Sequence, residues 1–393
     1  MNKQVSHIPS GYKPSPLGPI PEDWEVKRLG DLCFDIFSGS NKTRIDSGKY
    51  TVYGSTGIIG KTDEYKYEGE RILVARVGAH AGQVNIATGK YDVSDNTIIV
   101  ENQDCYSLYF AYQYLSASNL NKMVFGSGQP LITAGMLKRM FVVYPPFEEQ
   151  FQINNVLQLW DTAIAKQTAL IEKLTLRKRG LVQQLLTGKK RLKGFEGEWK
   201  EVRLGEVFEE RNETNCDNLP LLSITGDKGV IYQSESDKRD ISNEDKSKYK
   251  RICPNDIGYN TMRMWQGRSA LSELEGIVSP AYTIVTPKES IDVRFMAMLV
   301  QQPRIVYSFW THSQGLVSDT LNCKYPDFSQ VKVTIPHKDE QTAIAEFFIG
   351  LNKEIELANK KLTKLQEEKK GLMQVLLTGK KRIVNHKNNN YDG

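Results

Sequence analysis

The chain of 393 residues lacks the features that mark several protein classes. No apolar run approaches the roughly 18 residues that a membrane-spanning helix requires, and residues 1–14 contain no apolar stretch of the secretory type. The five cysteines are odd in number and no two form a C-x-x-C pair, so we expect neither a disulfide framework nor a structural zinc site. A soluble cytoplasmic protein is the starting expectation. The cysteines are Cys33, Cys105, Cys216, Cys253 and Cys323.

A strong surplus of one charge is also missing. The 52 Lys and Arg residues exceed the 47 Asp and Glu residues by five. A surplus this small neither requires nor excludes a nucleic-acid partner, because local clusters of charge set the field that a partner meets. The hydrophobic fraction of 39% is typical of a globular chain, and the length predicts two to three domains.

Motifs that carry catalysis are absent or incomplete. Residues 57–62 resemble the end of a phosphate-binding loop, but Ser55 occupies a glycine position of that pattern and no helical periodicity follows. Tyr144 precedes two prolines where an amino-methyltransferase motif has Asn or Asp. The five histidines have no metal-ligand spacing, and no G-x-S-x-G nucleophile elbow occurs. We therefore expect no catalytic residue, no metal and no bound cofactor in this chain.

The chain does contain an internal repeat. Residues 178–192 recur as residues 369–383 at an offset of 191, and 11 of the 15 positions are identical. An upstream anchor recurs at an offset of 175, where Trp24 matches Trp199. The sequence therefore consists of two repeats, which are similar at their ends and different in their middle parts.

A long helix is predicted at the end of each repeat. Its apolar residues recur at steps of four and three, a heptad spacing that indicates one helix packed along another. Proline precedes each helix and Gly188 or Gly379 follows it. A helix of about 36 to 38 residues is about 55 Å long. We predict that the two copies form an antiparallel coiled coil and that a pseudo-two-fold axis relates the two halves of the chain. The seam residues are Ile153, Leu157, Trp160, Ile164, Ile171, Leu174 and Leu181 in the first copy, and Ile344, Phe348, Leu351, Ile355, Leu362, Leu365 and Leu372 in the second.

The bodies ahead of the helices are predicted to be α+β domains. Short β-type runs such as Arg71–Ala75 alternate with glycine-rich turns, and shorter helices are predicted at residues 107–116 and 292–301. The predicted segments are an extended N-terminal segment (1–21), a first body (22–147), a first long helix (148–188), a connector (189–196), a second body (197–338), a second long helix (339–379) and a C-terminal tail (380–393).

Polar and basic side chains cluster on the predicted loops of both bodies. Such side chains pair with base edges and phosphates, since Arg forms two hydrogen bonds to guanine and Asn or Gln forms two to adenine. A single charged loop is usually only solvated, but the same enrichment in both bodies favours a shared DNA-binding role. The candidates are Asn41, Lys42, Arg44, Lys61, Arg76, His80, Gln83, Lys122, Ser127 and Gln129 in the first body, and Thr225, Lys228, Arg251, Asn260, Arg263, Gln266, Arg268 and Gln314 in the second.

Several motifs together carry a family resemblance. They lie at residues 20–24, 53–60, 126–129 and 145–150 in the first half, and at residues 197–199, 313–315 and 339–341 in the second. With them, nearly the whole chain resembles the specificity subunit of type I restriction-modification systems.

The resemblance implies two target recognition domains, each reading half of a bipartite DNA site. It also implies that the coiled coil fixes their spacing and docks two methyltransferase subunits, to which restriction/translocase subunits are added. Catalysis, S-adenosylmethionine, ATP and Mg would then belong to the partner subunits. The second body lacks the Gly-Ile-Ile-Gly turn of the first, so the two domains are expected to read different sequences.

Two other interpretations stay open. The chain could be a coiled-coil scaffold without DNA recognition, or the specificity subunit of a related system that only methylates. A stand-alone DNA-modifying enzyme would need a cofactor loop that we do not find.

Overall fold

The computed structural model describes residues 8–123, 131–226, 228–236, 242–315 and 321–383. The chain forms two compact units: the first comprises Met1–Ala169 with Lys360–Gly393, and the second comprises Leu170–Asn359. Along the described ranges, no helix is both long enough and apolar enough to cross a membrane.

Both units mix helices with sheets, so the predicted α+β class is confirmed. The α-helices are α1 (Leu108–Ala117), α2 (Ala134–Arg139), α3 (Phe147–Leu185), α4 (Leu204–Val207), α5 (Val293–Leu299), α6 (Pro303–His312), α7 (Tyr325–Gln330) and α8 (Lys338–Leu376). Short 3-10 helices lie at Leu29–Leu32, Leu120–Met123, Gln233–Glu235 and Met264–Gln266.

The two long helices are present and contain 39 residues each, slightly more than predicted. Both begin with acidic residues in the first turn, where carboxylates interact favourably with the helix dipole. Gly188 and Gly379 follow the helix ends with φ of 69° and 70°, a left-handed conformation that glycine adopts without steric cost.

The shorter predicted helices are present as α1 and α5. Ser107 caps α1 by accepting a hydrogen bond from the Phe110 amide, and Asp292 caps α5 by accepting from the amides of Arg294 and Phe295. Helix α6 was not predicted, although its amphipathic pattern buries Ile305 and Phe309.

Among the described residues of the first unit, two four-stranded sheets have the orders β6-β5-β10-β7 and β4-β11-β8-β9. In the second of these, Ile98 lies opposite Ser38 on one side and Val74 on the other. The N-terminal segment, predicted only to be extended, forms the hairpin β1-β2. The strands are β1 (Tyr12–Lys13), β2 (Ile20–Pro21), β3 (Glu25–Arg28), β4 (Cys33–Ser38), β5 (Tyr50–Gly54), β6 (Gly57–Thr62), β7 (Tyr67–Glu68), β8 (Arg71–Ala75), β9 (Val84–Ala87), β10 (Lys90–Val93), β11 (Thr97–Asn102) and β12 (Phe141–Tyr144).

In the described part of the second unit, a four-stranded sheet has the order β14-β21-β18-β19. The core of this unit is rich in aromatic side chains, and Phe309 stacks on Phe328 with ring centroids 5.5 Å apart. The strands are β13 (Lys200–Arg203), β14 (Phe208–Arg211), β15 (Leu222–Ile224), β16 (Val230–Tyr232), β17 (Lys250–Ile252), β18 (Ile257–Asn260), β19 (Ser269–Leu271), β20 (Gly276–Val278), β21 (Tyr282–Pro287) and β22 (Lys332–Ile335).

The sheets β4-β11-β8-β9 and β14-β21-β18-β19 share one topology. In each, the third and fourth strands are adjacent in sequence and are joined by a short loop that contains glycine, at residues 76–83 in the first unit and 261–268 in the second. The two bodies that differ in sequence therefore present an equivalent loop at an equivalent place.

The long helices pack in opposite directions inside each unit. In the first, the Asp161 carboxylate of α3 accepts from the Lys369 ammonium of α8 at 2.6 Å. In the second, Leu174 of α3 belongs to the same buried cluster as Leu351 and Ala358 of α8. All the predicted seam residues are buried or partly buried. The pseudo-two-fold relation between the halves stays a prediction.

The repeated segments contain Gly-Lys-Lys-Arg at residues 188–191 and 379–382. Gly188 lies beside Trp199 and Gly379 lies beside Trp24. Arg382 pairs with Asp23 at 2.8 Å and with the buried Glu149 at 2.6 Å. Arg191 pairs likewise with the buried Glu340. We call residues 379–382 and 188–191 the first-unit latch and the second-unit latch, since each ties the end of one long helix to the start of a body.

Candidate nucleic-acid interface

A concave groove of about 590 Å³ lies beside the loop 261–268 of the second unit. Residues 224–226 and 228, between or at the ends of β15 and β16, also line the groove. The Thr225 hydroxyl holds the turn between these two strands, since it donates to the Gly229 carbonyl at 2.9 Å and accepts from the Lys228 amide at 3.0 Å. The groove brings together six of the predicted residues: Thr225, Lys228, Asn260, Arg263, Gln266 and Arg268.

Backbone hydrogen bonds hold the loop 261–268 in one conformation. The Arg263 amide donates to the Asn260 carbonyl and the Gln266 amide donates to the Arg263 carbonyl, both at 2.9 Å. Gly267 has a φ of 73°, which closes the short 3-10 helix ahead of it. The loop therefore presents its side chains from a fixed backbone.

Three side chains of this loop are exposed without a protein partner. Within the described chain, Arg263, Gln266 and Arg268 form no side-chain hydrogen bond or ion pair, and no described residue lining the groove is acidic. Nearby arginines of the same unit behave differently, since Arg211 is held by the buried Asp256 at 2.7 Å. Arg263 and Arg268 thus bring to the groove positive charge and hydrogen-bond donors that no described carboxylate neutralises.

Two predicted residues of the second unit are engaged elsewhere. Arg251 pairs with Glu213 at 2.8 Å and with Glu275 at 2.5 Å. Hydrogen bonds to these carboxylates raise the pKa of Arg251, and hydrogen bonds from Arg251 and Arg211 lower the pKa of Glu213. The Gln314 amide donates to the Asp327 carboxylate at 3.0 Å. Their role in binding DNA stays a prediction, but neither side chain lines the groove.

The first unit has a smaller groove, of about 270 Å³, beside the equivalent loop 76–83. It brings together the predicted residues His80 and Gln83 with Asn119 and Asn121, which follow α1. A Cβ on Gly82 would lie 2.8 Å from the Asn121 side-chain oxygen, so the glycine permits this close approach. No lysine, arginine or carboxylate is among the described lining residues.

The carboxamides of the first groove are exposed and available. The side chains of Gln83, Asn119 and Asn121 make no hydrogen bond within the described part of the chain. Asn119 and Asn121 were missed by the sequence analysis. Asn119 has a left-handed φ of 46°, and two asparagines just after a helix are a signal that could have revealed this turn.

The other predicted residues of the first unit lie outside its groove. The Asn41 amide donates to the buried Asp92 carboxylate at 2.7 Å, and the Arg76 guanidinium donates to the Asp95 carbonyl at 3.4 Å. Lys42, Arg44, Lys61 and Lys122 are exposed. Ser127 and Gln129 lie outside the described residues.

A metal centre has no support in the geometry. In the ranges that the structure describes, no three His, Cys, Asp or Glu side chains are grouped so that they could hold a metal ion.

The match to a known family covers both units. Residues 21–176 and residues 196–367 each match the Type I restriction modification DNA specificity domain. The chain belongs to this family. It is a type I specificity subunit with two recognition domains, and the two grooves lie one in each domain.

Relatives and solved structures agree with this assignment. The Type I restriction enzyme MjaVIII specificity subunit of Methanocaldococcus jannaschii is 26% identical over 410 residues, which cover 93% of this chain and 95% of that protein. The putative MjaX specificity subunit of the same organism is 26% identical over 424 residues, covering 95% and 97%. The crystal structure of a type I S subunit from M. genitalium has a TM-score of 0.57 at 17% identity, covering 90% of this chain and 96% of that chain, and shares the fold.

Proposed function

We propose that this specificity subunit binds double-stranded DNA with both recognition domains, each reading one half of a bipartite site. The observation that carries the proposal is the pair of grooves on equivalent loops. In the described part of the chain, the side chains of Arg263, Gln266 and Arg268 in one groove and of Gln83, Asn119 and Asn121 in the other are exposed and make no hydrogen bond to protein. Such side chains fit base edges, which present donors and acceptors in the DNA grooves. Because the lining residues differ, the two halves of the site differ in sequence.

The long helices are the proposed docking surface for two methyltransferase subunits. Each has a buried seam, and α3 also exposes Phe151, Leu159 and Leu176, with exposed fractions of 53%, 71% and 70%. We propose that a partner covers these exposed apolar side chains. Restriction/translocase subunits would join through the methyltransferases.

The chemistry is assigned to these partners. This assignment rests on the family to which the chain belongs, in which this subunit supplies DNA recognition. In this proposal the methyltransferase and restriction subunits bind S-adenosylmethionine, ATP and Mg, and the assembled complex works on DNA in the cytoplasm.

Methylation mapping tests the proposal. Genomic adenine methylation is compared between cells with the intact gene, cells that lack it and cells complemented with it. We expect one bipartite motif to lose methylation on deletion and to regain it on complementation. An unchanged methylation pattern would contradict the proposal, and a protein that still binds its partner subunits would then be a scaffold.

A further inference from the structure

The two grooves differ in chemistry, and the difference bears on the bases that each domain reads. The groove of the second domain contains Lys228, Arg263 and Arg268, whereas no lysine or arginine lines the described groove of the first. The first groove offers carboxamides instead, from Gln83 and Asn121. We infer that the second domain reads guanine through Arg263 and Arg268, and that the first domain reads adenine through Gln83 and Asn121. The inference rests on the proposed function.

The arginine geometry supports guanine in the second half-site. Guanine is the base whose major-groove edge carries two acceptors, O6 and N7, and an arginine fork donates to both. Arg263 and Arg268 begin and end the same rigid turn, because the Arg268 amide donates to the Arg263 carbonyl at 3.3 Å. Both guanidinium groups are exposed and lack a carboxylate partner among the described residues. Their donors are therefore available without breaking an internal ion pair.

The Arg268 side chain is in contact with the turn between β15 and β16. A Cβ on Gly226 would lie 3.1 Å from the Arg268 Nη1 atom, so the guanidinium lies against the hairpin turn at that glycine. The turn thereby restricts the arginine before DNA arrives, which lowers the entropy cost of binding. Lys228 on the same turn is a single positive charge without a planar fork, and it suits a phosphate.

Carboxamides support adenine in the first half-site. Adenine offers a donor at N6 and an acceptor at N7, and the amide of Gln or Asn matches both at once. Gln83 is the last residue of its loop, and its amide donates to the His80 carbonyl at 2.9 Å, which holds the backbone there. Asn121 lies beside Gly82 of the same loop. The two carboxamides thus face one groove from two segments of the chain.

The test is a binding selection with the full chain, purified together with the subunits that accompany it from its own host. Duplexes with both half-sites randomised are selected by the wild type and by single variants. Arg263→Gln and Arg268→Gln should each lower the guanine preference about tenfold at one position of one half-site. Gln83→Leu should lower an adenine preference to a similar extent in the other half-site only. Arg203→Gln is the matched control, because it removes an exposed arginine of the same domain outside the groove, and it should change neither preference.

Three outcomes would overturn the inference. Wild-type half-sites without guanine in one half and adenine in the other would contradict it directly. If the arginine variants weaken binding to all sequences equally and reduce the salt dependence by about 0.9 per arginine, these side chains contact phosphates. In both cases the proposed function stands, since the wild type still selects a bipartite site. Absence of any sequence preference in the wild type would overturn the proposed function as well.

Discussion

At the scale of single residues, the two latch glycines occupy equivalent places but meet different neighbours. A Cβ on Gly188 would lie 3.4 Å from the Trp199 ring, an ordinary contact. A Cβ on Gly379 would lie 2.5 Å from Cδ of Pro21 and 2.8 Å from its Cγ, which is too close for any side chain. The backbone at the repeated glycine therefore lies closer to its neighbours in the first unit than in the second.

Alanine at these two positions should separate backbone strain from crowding. Both glycines have a left-handed φ, which costs an alanine about 1 kcal/mol. Gly188→Ala should lower the free energy of unfolding by about that amount. Gly379→Ala should lower it by about 2–4 kcal/mol, because overpacking against the proline ring is added. Calorimetric unfolding of the two variants measures the difference, and equal losses would contradict the predicted crowding.

Arg382 is the central residue of the first-unit latch. Its guanidinium donates to Glu149, whose carboxylate is buried and also accepts from the Trp24 indole at 2.8 Å. Arg382→Ala removes the charged donor and leaves this carboxylate with the indole alone, so we expect a loss of about 2 kcal/mol in the free energy of unfolding. Lys381→Ala, one residue earlier and exposed, is the control and should change little.

The same latch should make stability depend on pH at acidic values. The hydrogen bond from Arg382 lowers the pKa of Asp23 below its usual value. The unfolded chain then binds a proton more readily than the folded chain, so this stabilisation is complete above the unfolded pKa of about 4 and is lost as pH falls through the folded pKa. Urea unfolding across this range measures it. In Arg382→Ala the part of the Asp23 contribution that comes from Arg382 should be lost, and an unaltered profile would argue against the latch.

At the scale of secondary-structure elements, burial varies along the heptad seam. Leu174 is 7% exposed, whereas Leu362 and Leu365 are only partly buried. The sequence pattern does not distinguish these positions, because heptad spacing indicates which face of a helix packs against its partner and not how deeply each residue is buried. A charge should therefore be tolerated unequally along the same seam.

Lysine at Leu174 should destabilise the second unit by about 3 kcal/mol or more, since the ammonium loses hydration without gaining a partner. Leu176→Lys is the matched control, because Leu176 lies on the same helix with 70% of its side chain exposed. It should leave the free energy of unfolding nearly unchanged. Leu365→Lys should fall between the two. Thermal unfolding ranks the three variants, and an equal effect at Leu174 and Leu176 would exclude a buried seam.

At the scale of the whole molecule, the long helices are the proposed determinant of the spacing between half-sites. Each contains 39 residues and is about 58 Å long at about 1.5 Å per residue. A helix is stiff over this length, so its residue count sets a distance in a way that a flexible linker would not.

Lengthening both helices should therefore lengthen the unread spacer. Four residues inserted after Ile171 and after Leu362 add about one turn, or about 6 Å, which is close to two base pairs of DNA. We expect the preferred spacer to grow by about that number when site libraries with varied spacers are methylated. Insertion into one helix alone is the control, and it should impair assembly because it shifts the seams against each other. If the double insertion left the preferred spacer length unchanged, the long helices would not determine the spacing between the half-sites.

The sequence by itself determined the features that rest on local periodicity. The repeat, the two long helices, the stop glycines and the α+β class were readable because heptads, turns and strand patterns are properties of neighbouring residues. The sequence also indicated that the two latches are alike. The Gly-Lys-Lys-Arg segment and the tryptophan both occur in each repeat, so a contact between them in one repeat implies the same contact in the other.

Only the tertiary structure decided which polar side chains are available to a ligand. Arg251 and Arg263 look alike in the sequence, yet Glu213, 38 residues away, holds the first and no described residue holds the second. Asn41 is likewise bound by Asp92, 51 residues away, while Asn121 joins a groove that the sequence did not indicate. Partners so distant in the chain meet only after folding, so local pattern cannot distinguish a paired side chain from an unpaired one.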